Sequence, residues 1–389
     1  MKEQLIEQFH AVFGPDTASP ARVFFAPGRV NLIGEHTDYN GGHVFPCAIT
    51  LGTYAVVRPR SDRMLGFYSA NFPAVGCLEV PLDDIRPCPE HNWANYPKGI
   101  IRTLQEHGFT ALHGLDIFYY GNIPNGSGLS SSASIEVLTA FFCCEMFHWT
   151  LDGVRIAQLA QYSENHFNGV NCGIMDQFAI AMGRPQQAIF LDTNTLLYEY
   201  VPLELGDYRI LILNTNEKRG LAASKYNERR FQCEEALRRL QTHLNIASLG
   251  DLTPEAFTAA QELIDDPLLL RRARHAVTEN HRTIQAKEAL CHHDLSAFAA
   301  LINASGDSLR EDYEVTGPEL DTLVEETRRQ PGVLCARMTG AGFGGCAVSL
   351  VHKDAVDAVC AAVGPAYEAK IGYPAAFYTA QAGGGPAEL

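Results

Sequence analysis

The chain has no Gly-Lys-Ser or Gly-Lys-Thr step and none of the protein-kinase catalytic runs, so the two commonest ways of holding a nucleoside triphosphate are excluded. No Cys-x-x-Cys pair occurs among its 11 cysteines, which are odd in number and scattered. That argues against a disulfide framework or a zinc knuckle and fits a reducing cytoplasm. No apolar run approaches the ~20 residues that span a bilayer; the stretch 137–147 is too short and carries Glu145. Basic residues are the minority, 30 Lys and Arg against 45 Asp and Glu, and the formal charge of -15 repels phosphate backbones. Neither nucleic acid nor membrane is expected as a partner. Any bound anion has to be attracted locally, by arginine, backbone N–H groups or a metal ion.

What remains is an ordinary globular composition, 46% apolar and 19% charged, in a chain of 389 residues. That exceeds the ~250–300 residues at which one core stops growing, so two domains are expected. Leu5, Ile6, Phe9, Val12 and Phe13 share a helical face among acidic residues, a docked surface helix without the layout of a signal peptide. Strands are predicted at 23–25, 30–33, 54–57, 115–120, 208–213 and 347–351, and helices at 131–147, 224–240, 268–290 and 295–309. Both halves are therefore α+β. The polar, turn-prone stretch 202–206 sets the expected division, 1–205 and 206–389. No heptad or large apolar stripe suggests an interface, so a monomer is expected.

The densest signal is Gly126-Ser127-Gly128-Leu129-Ser130-Ser131-Ser132-Ala133, between a predicted strand and a helix with Ile135, Leu138, Phe142 and Met146 in register. Glycine lets the backbone approach an anion, successive N–H groups point into the turn, and the helix N-terminus adds partial positive charge. A phosphate suits this bend, whereas a merely capped helix needs only one Ser and one Gly. The serines also offer N-cap candidates. A second cluster spans 26–42 and includes Arg29, Glu35, His36, Asp38 and Tyr39 among turn glycines. Such polar density suits a polyhydroxylated ligand, whose every hydroxyl needs a partner once desolvated. A third, Met338-Thr339-Gly340-Ala341-Gly342-Phe343-Gly344-Gly345-Cys346, formally fits the dinucleotide fingerprint, but a strand follows it instead of a helix. Asp176 stands among apolar residues and by composition reads as a helix-terminal or salt-bridged Asp. The run Cys291-His292-His293-Asp294 reads as a solvated helix end, not a metal site.

Pro124 to Ala133 resembles the second motif of the galactokinase, homoserine kinase, mevalonate kinase and phosphomevalonate kinase superfamily, Pro-x-x-x-Gly-Leu-x-Ser-Ser-Ala. The run Gly34-Glu35-His36-Thr37-Asp38-Tyr39 resembles the signature of the galactokinase branch, and Gly173 to Gln177 its Gly-x-x-Asp-Gln pattern. The 338–346 loop resembles the superfamily's third motif, a glycine loop that closes over the active site. The four motifs occur in family order between residues 21 and 350.

This resemblance implies two mixed α/β domains with the active site in the cleft between them, and an ATP-dependent kinase acting on the anomeric hydroxyl of galactose. It assigns the phosphates to the loop from Gly126 to Ala133, Mg2+ to Ser132 and Glu164, and the adenine to the neighbourhood of Trp93 and Tyr96. The sugar falls to Glu35, His36, Asp38, Gly173, Asp176 and Tyr226, with Asp176 as base and Arg29 beside it. Read by themselves, Glu164 is a surface helix residue, Tyr226 a core-facing one, and Trp93 and Tyr96 core packing. A carboxylate beside a guanidinium is a weak base, so proton removal is expected late in a loose transition state. Two alternatives stay open: a kinase for a related sugar such as N-acetylgalactosamine, or a sensor that binds galactose and ATP without catalysis. Intact Ser132-Ala133 and Asp176 favour an enzyme.

Overall fold

The computed structural model describes residues 1–15, 19–124, 128–217 and 222–389. A six-stranded sheet runs, in spatial order, Ala387–Glu388, Arg22–Asn31, Pro46–Pro59, Leu115–Gly121, Met64–Ser69 and Leu78–Pro81. All its pairs are antiparallel except Met64–Ser69 against Leu115–Gly121. One face is covered by helices Asn95–Glu106, Ser131–Phe147 and Gly153–His166, which bury Phe24, Phe67, Ile100, Val137, Leu138 and Phe142 against the strands. The predicted 131–147 helix is thus present, and apolar around most of its circumference because it lies in the core.

Strands Val333–Thr339, Cys346–His352, Tyr208–Asn214 and Ala376–Ala380 form a second, antiparallel sheet in that order. Helices Ala222–Leu240, Pro267–Cys291 and Gly317–Arg328 pack with it around Leu211, Leu213, Leu320 and Val351. A small third sheet joins His43–Val44, Gln187–Asp192 and Tyr198–Pro202. Between the two large sheets lies an apolar layer: Val30, Cys47 and Ile49 from the first, with Ile33 and Phe45 of the connection between its strands, meet Ile210, Ile212, Val348 and Leu350 from the second. No helix among the described residues is long and apolar enough to cross a membrane. Cys291, His292, His293 and Asp294 are all exposed at the end of the Pro267–Cys291 helix.

Two local departures from regularity aim the chain at one place. The Arg22–Asn31 strand shifts register against Pro46–Pro59 between Pro27 and Arg29, a bulge that breaks the inward–outward alternation and re-aims Arg29. Arg337, fully buried, donates to Asn31 O at 2.7 Å and Leu32 O at 3.0 Å, and Thr339 Oγ1 accepts from Asn31 N at 3.1 Å. These bonds carry the third glycine run onto the first polar cluster.

Candidate active site

The residues singled out in the sequence converge on a cavity of about 260 Å³. Arg29, Glu35, His36, Asp38, Gly128, Ser130, Ser131, Ser132, Glu164, Gly173, Asp176 and Tyr226 line it, with Gly340 and Ala341 of the third glycine run closing one side. Gly126 and Ser127 lie outside the described residues. Leu129 and Ala133 are buried behind the loop, and Leu129 O accepts from Arg29 N at 3.3 Å.

Asp176 opens the Met175–Ala181 helix and grips Arg29 at both oxygens, Nε to Oδ1 at 2.8 Å and Nη2 to Oδ2 at 2.9 Å. The remaining guanidinium nitrogen, Nη1, donates to Gly128 O at 2.8 Å. Arg29 is buried; desolvation opposes its charge, but Asp176 and Glu35 outweigh it and raise its pKa. Ser130 sits at the N-cap of the Ser131–Phe147 helix in left-handed conformation, φ 61°, where the sequence suggested a capping serine. Its side chain caps nothing and instead donates to Asp176 Oδ2 at 2.5 Å. The helix's first N–H groups are therefore left to an anion. Gly340 has φ 84°, and a Cβ there would lie 2.8 Å from Gly128 O, so only glycine lets the two loops touch.

Glu35 Oε1 accepts from Gly340 N at 2.8 Å and pairs with Arg337 at 3.2 Å, whereas Oε2 has no hydrogen-bond partner among the described residues. Burial raises its pKa against the pull of Arg337 and Arg29. Burial also raises Asp38, to about 7, with Asp176 and Glu35 adding repulsion. A raised carboxyl pKa means that, between the ordinary range and about 7, folded Asp38 holds a proton that the unfolded chain has released. Stability therefore falls as pH rises through that window. Asp38→Asn is expected to raise Tm by about 2–4 °C at pH 8, with the gain shrinking towards pH 5. Thermal unfolding at the two pH values checks it; a gain independent of pH contradicts it.

Glu164, which its sequence context suggested was a surface residue, is 7% exposed, because the Gly153–His166 helix turns this side inward. It accepts from Gln177 Nε2 at 2.6 Å. Burial, then the Asp176 charge, raises its pKa to about 7. Beside it lies Glu136, fully buried, with Oε2 unpaired among the described residues and its pKa raised well above the usual range by burial and by Glu164. With Glu35 paired to Arg337, Asp38, Glu164 and Asp176 still face one guanidinium, Arg29, among the described lining residues. A hard cation suits that imbalance, with Ser132 and Glu164 as oxygen donors.

A second cavity, about 180 Å³, shares Ser131 and Ser132 with the first and is otherwise lined by Asn71, Phe72, Trp93, Tyr96 and Ile135 among others. Trp93 is 6% exposed, with Nε1 unpaired among the described residues, and its ring packs edge-on to Tyr119 at 5.6 Å. Core packing and pocket lining are thus both true of it. The serine loop stands between the two cavities, which allows a planar group on one side and a polyol on the other to meet at the phosphates.

Sequence reasoning missed the residues that hold the site from behind. Glu279 Oε1 accepts from Gly34 N at 3.0 Å and Glu35 N at 3.3 Å, and His275 Nε2 lies 3.1 Å from Glu35 O. Both are fully buried on the Pro267–Cys291 helix, one turn apart. A His and a Glu four apart are common on exposed helices, so no local signal marked them. Glu136 did carry one, a lone acid in an otherwise apolar stretch of helix.

Residues 7–59 match the family pattern described as galactokinase galactose-binding signature, 95–184 the N-terminal domain of GHMP kinases, and 286–369 their C-terminal domain. The chain is 54% identical to the galactokinase of Enterococcus faecalis over 389 residues, all of both chains. It is 55% identical to that of Clostridium acetobutylicum over 356 residues, 92% of each. The crystal structure of Lactococcus lactis galactokinase complexed with galactose superposes with a TM-score of 0.97 at 51% identity, covering 100% of both chains. The mevalonate kinase of Methanococcus jannaschii, 18% identical, shares the fold with a TM-score of 0.64 over 95% of this chain and 100% of its own.

Proposed function

The chain belongs to the galactokinase family, and from that premise we propose that it transfers the γ-phosphate of ATP to the anomeric hydroxyl of D-galactose, giving galactose 1-phosphate and ADP. The observation that carries this reading is the Asp176 carboxylate, held by Arg29 and Ser130 at the lip of the Gly128–Ser132 bend. A sugar hydroxyl in the larger cavity then faces phosphates held over the helix N-terminus, in line with its acceptor.

Phosphoryl transfer runs through a loose transition state, so positioning and charge stabilisation supply most of the rate. Asp176 accepts the hydroxyl proton as the bond to phosphorus forms, when the hydroxyl has become strongly acidic. Arg29 stays charged, orients Asp176 and offsets charge on the transferring group. Glu35, His36, Asp38, Gly173 and Tyr226 hold the sugar hydroxyls, and Trp93 and Tyr96 flank the adenine. Ser132 and Glu164 would hold Mg2+, which when bound neutralises phosphate charge. Gln177 keeps the Glu164 carboxylate turned toward Ser132. We further propose a division near residue 205, with Ala387–Glu388 returning to the first sheet, and a cytoplasmic monomer.

A coupled assay of ADP release with galactose, glucose and N-acetylgalactosamine tests the reading. Galactose-dependent ADP is expected, with kcat/KM for the other two at least ~100-fold lower. No galactose-dependent ADP overturns it.

A further inference from the structure

Behind the sugar cavity runs a chain of hydrogen bonds that the reaction itself does not use. His36 Nδ1 lies 2.8 Å from Tyr39 Oη, Tyr39 Oη lies 2.8 Å from Tyr313 Oη, and Tyr313 Oη lies 3.1 Å from Cys233 Sγ. His36, Tyr313 and Cys233 are buried, and the His36 ring is boxed by Tyr313 at 4.8 Å and Tyr226 at 5.6 Å between ring centres. Its other nitrogen, Nε2, is itself buried and has no hydrogen-bond partner among the described residues; the ring lies beside the Ala341 backbone, and both residues line the cavity. Burial, then the neighbouring His275, lowers the pKa of His36 to about 3, so the imidazole is neutral and one nitrogen only carries hydrogen.

The direction of the chain follows from the acceptors. An imidazole nitrogen is a far better acceptor than a phenol oxygen, and a phenol oxygen better than a thiol sulfur. Each hydroxyl therefore donates toward the ring, Tyr313 to Tyr39 and Tyr39 to His36 Nδ1. We propose that Tyr39, backed by Tyr313, is a positioning residue that fixes His36 in the tautomer with its hydrogen on Nε2, so that the wall of the sugar cavity holds a donor N–H beside the Ala341 backbone. This rests on the proposed role of His36 as a sugar contact. Without the Tyr39 hydroxyl, Nδ1 competes for the hydrogen and the ring presents an acceptor part of the time. A lone pair on Nε2 then meets the Ala341 backbone in place of the N–H, and the ring no longer holds its place at the wall of the sugar cavity.

Two measurements test it. In protein labelled with 15N-histidine, with the signal assigned through His36→Gln, long-range proton–nitrogen spectra are expected to show a protonated Nε2 and a bare Nδ1. In Tyr39→Phe, galactose KM is expected to rise about tenfold, with kcat and ATP KM within twofold, and the tautomer signature to mix. Tyr313→Phe leaves Tyr39 its hydrogen and is expected to keep the Nε2–H signature, with galactose KM within threefold. Hydrogen on Nδ1 in the unaltered protein overturns the proposal, as does a Tyr39→Phe loss spread over kcat and both KM values. Should Tyr39→Phe not fold, the spectrum of the unaltered protein still decides. Absence of galactose turnover in the unaltered protein defeats the proposed function instead, leaving the tautomer to the spectrum.

Discussion

Asp176→Asn is expected to lower kcat by about 10²–10⁴ while galactose Kd changes less than tenfold. The amide keeps the shape of the carboxylate, so the hydroxyls that touch the rest of the pocket lose nothing. It cannot take up a proton, and it turns an NH2 toward Arg29 and Ser130, where two acceptor oxygens now bind three donors. Arg29, 4% exposed by its side chain, keeps Glu35, then Asp38, as its remaining charge compensation. Some loss of stability therefore accompanies the loss of turnover, about 1–3 kcal/mol, less than for a fully buried pair because the Asp176 side chain is 32% exposed. Steady-state kinetics, galactose titration by calorimetry and thermal unfolding separate the three effects. Turnover within twofold of the unaltered protein removes Asp176 from the mechanism.

Gly173→Ala is expected to raise galactose KM about 100-fold and leave ATP KM within threefold. A Cβ at this position falls inside the carboxyl group of Asp38, so the carboxylate has to leave its place. Asp38 is the group whose charge is already disfavoured by burial, and Tyr39 N fixes one of its oxygens at 3.1 Å. A carboxylate pushed from the wall of so small a cavity either enters the sugar's volume or abandons its hydroxyl. The second cavity, proposed above for the adenine, does not include Gly173, hence the expected asymmetry between the substrates. Equal KM for galactose in the two proteins shows that Asp38 moves without cost and is no sugar contact.

Much of the scaffold was legible before any coordinates. The 267–291 and 295–308 helices and the 208–214 and 346–352 strands follow the periodicity of their apolar residues to within two residues. The serine loop and the Gly340 run were legible because they constrain the backbone itself. Glu164 was not: a glutamate on a polar-looking helix has the same local signature whether that face meets water or a cleft. Ser130 reads as a helix cap by position and type, yet in the fold its hydroxyl donates to the Asp176 carboxylate at 2.5 Å instead of accepting from a first-turn backbone N–H.

The amino-acid order alone determined which segments become helix, strand or tight bend, and which bends can come close to an anion, since those outcomes depend on neighbours a few residues away. Tertiary structure alone decided that Arg29 meets Asp176 across 147 positions, that Gly340 donates to Glu35 across 305, and that Glu279 holds the Gly34–Glu35 backbone from a distant helix. Desolvation and charge pairing are set by distances in space. Those distances exist only once the apolar layer between the two large sheets has closed.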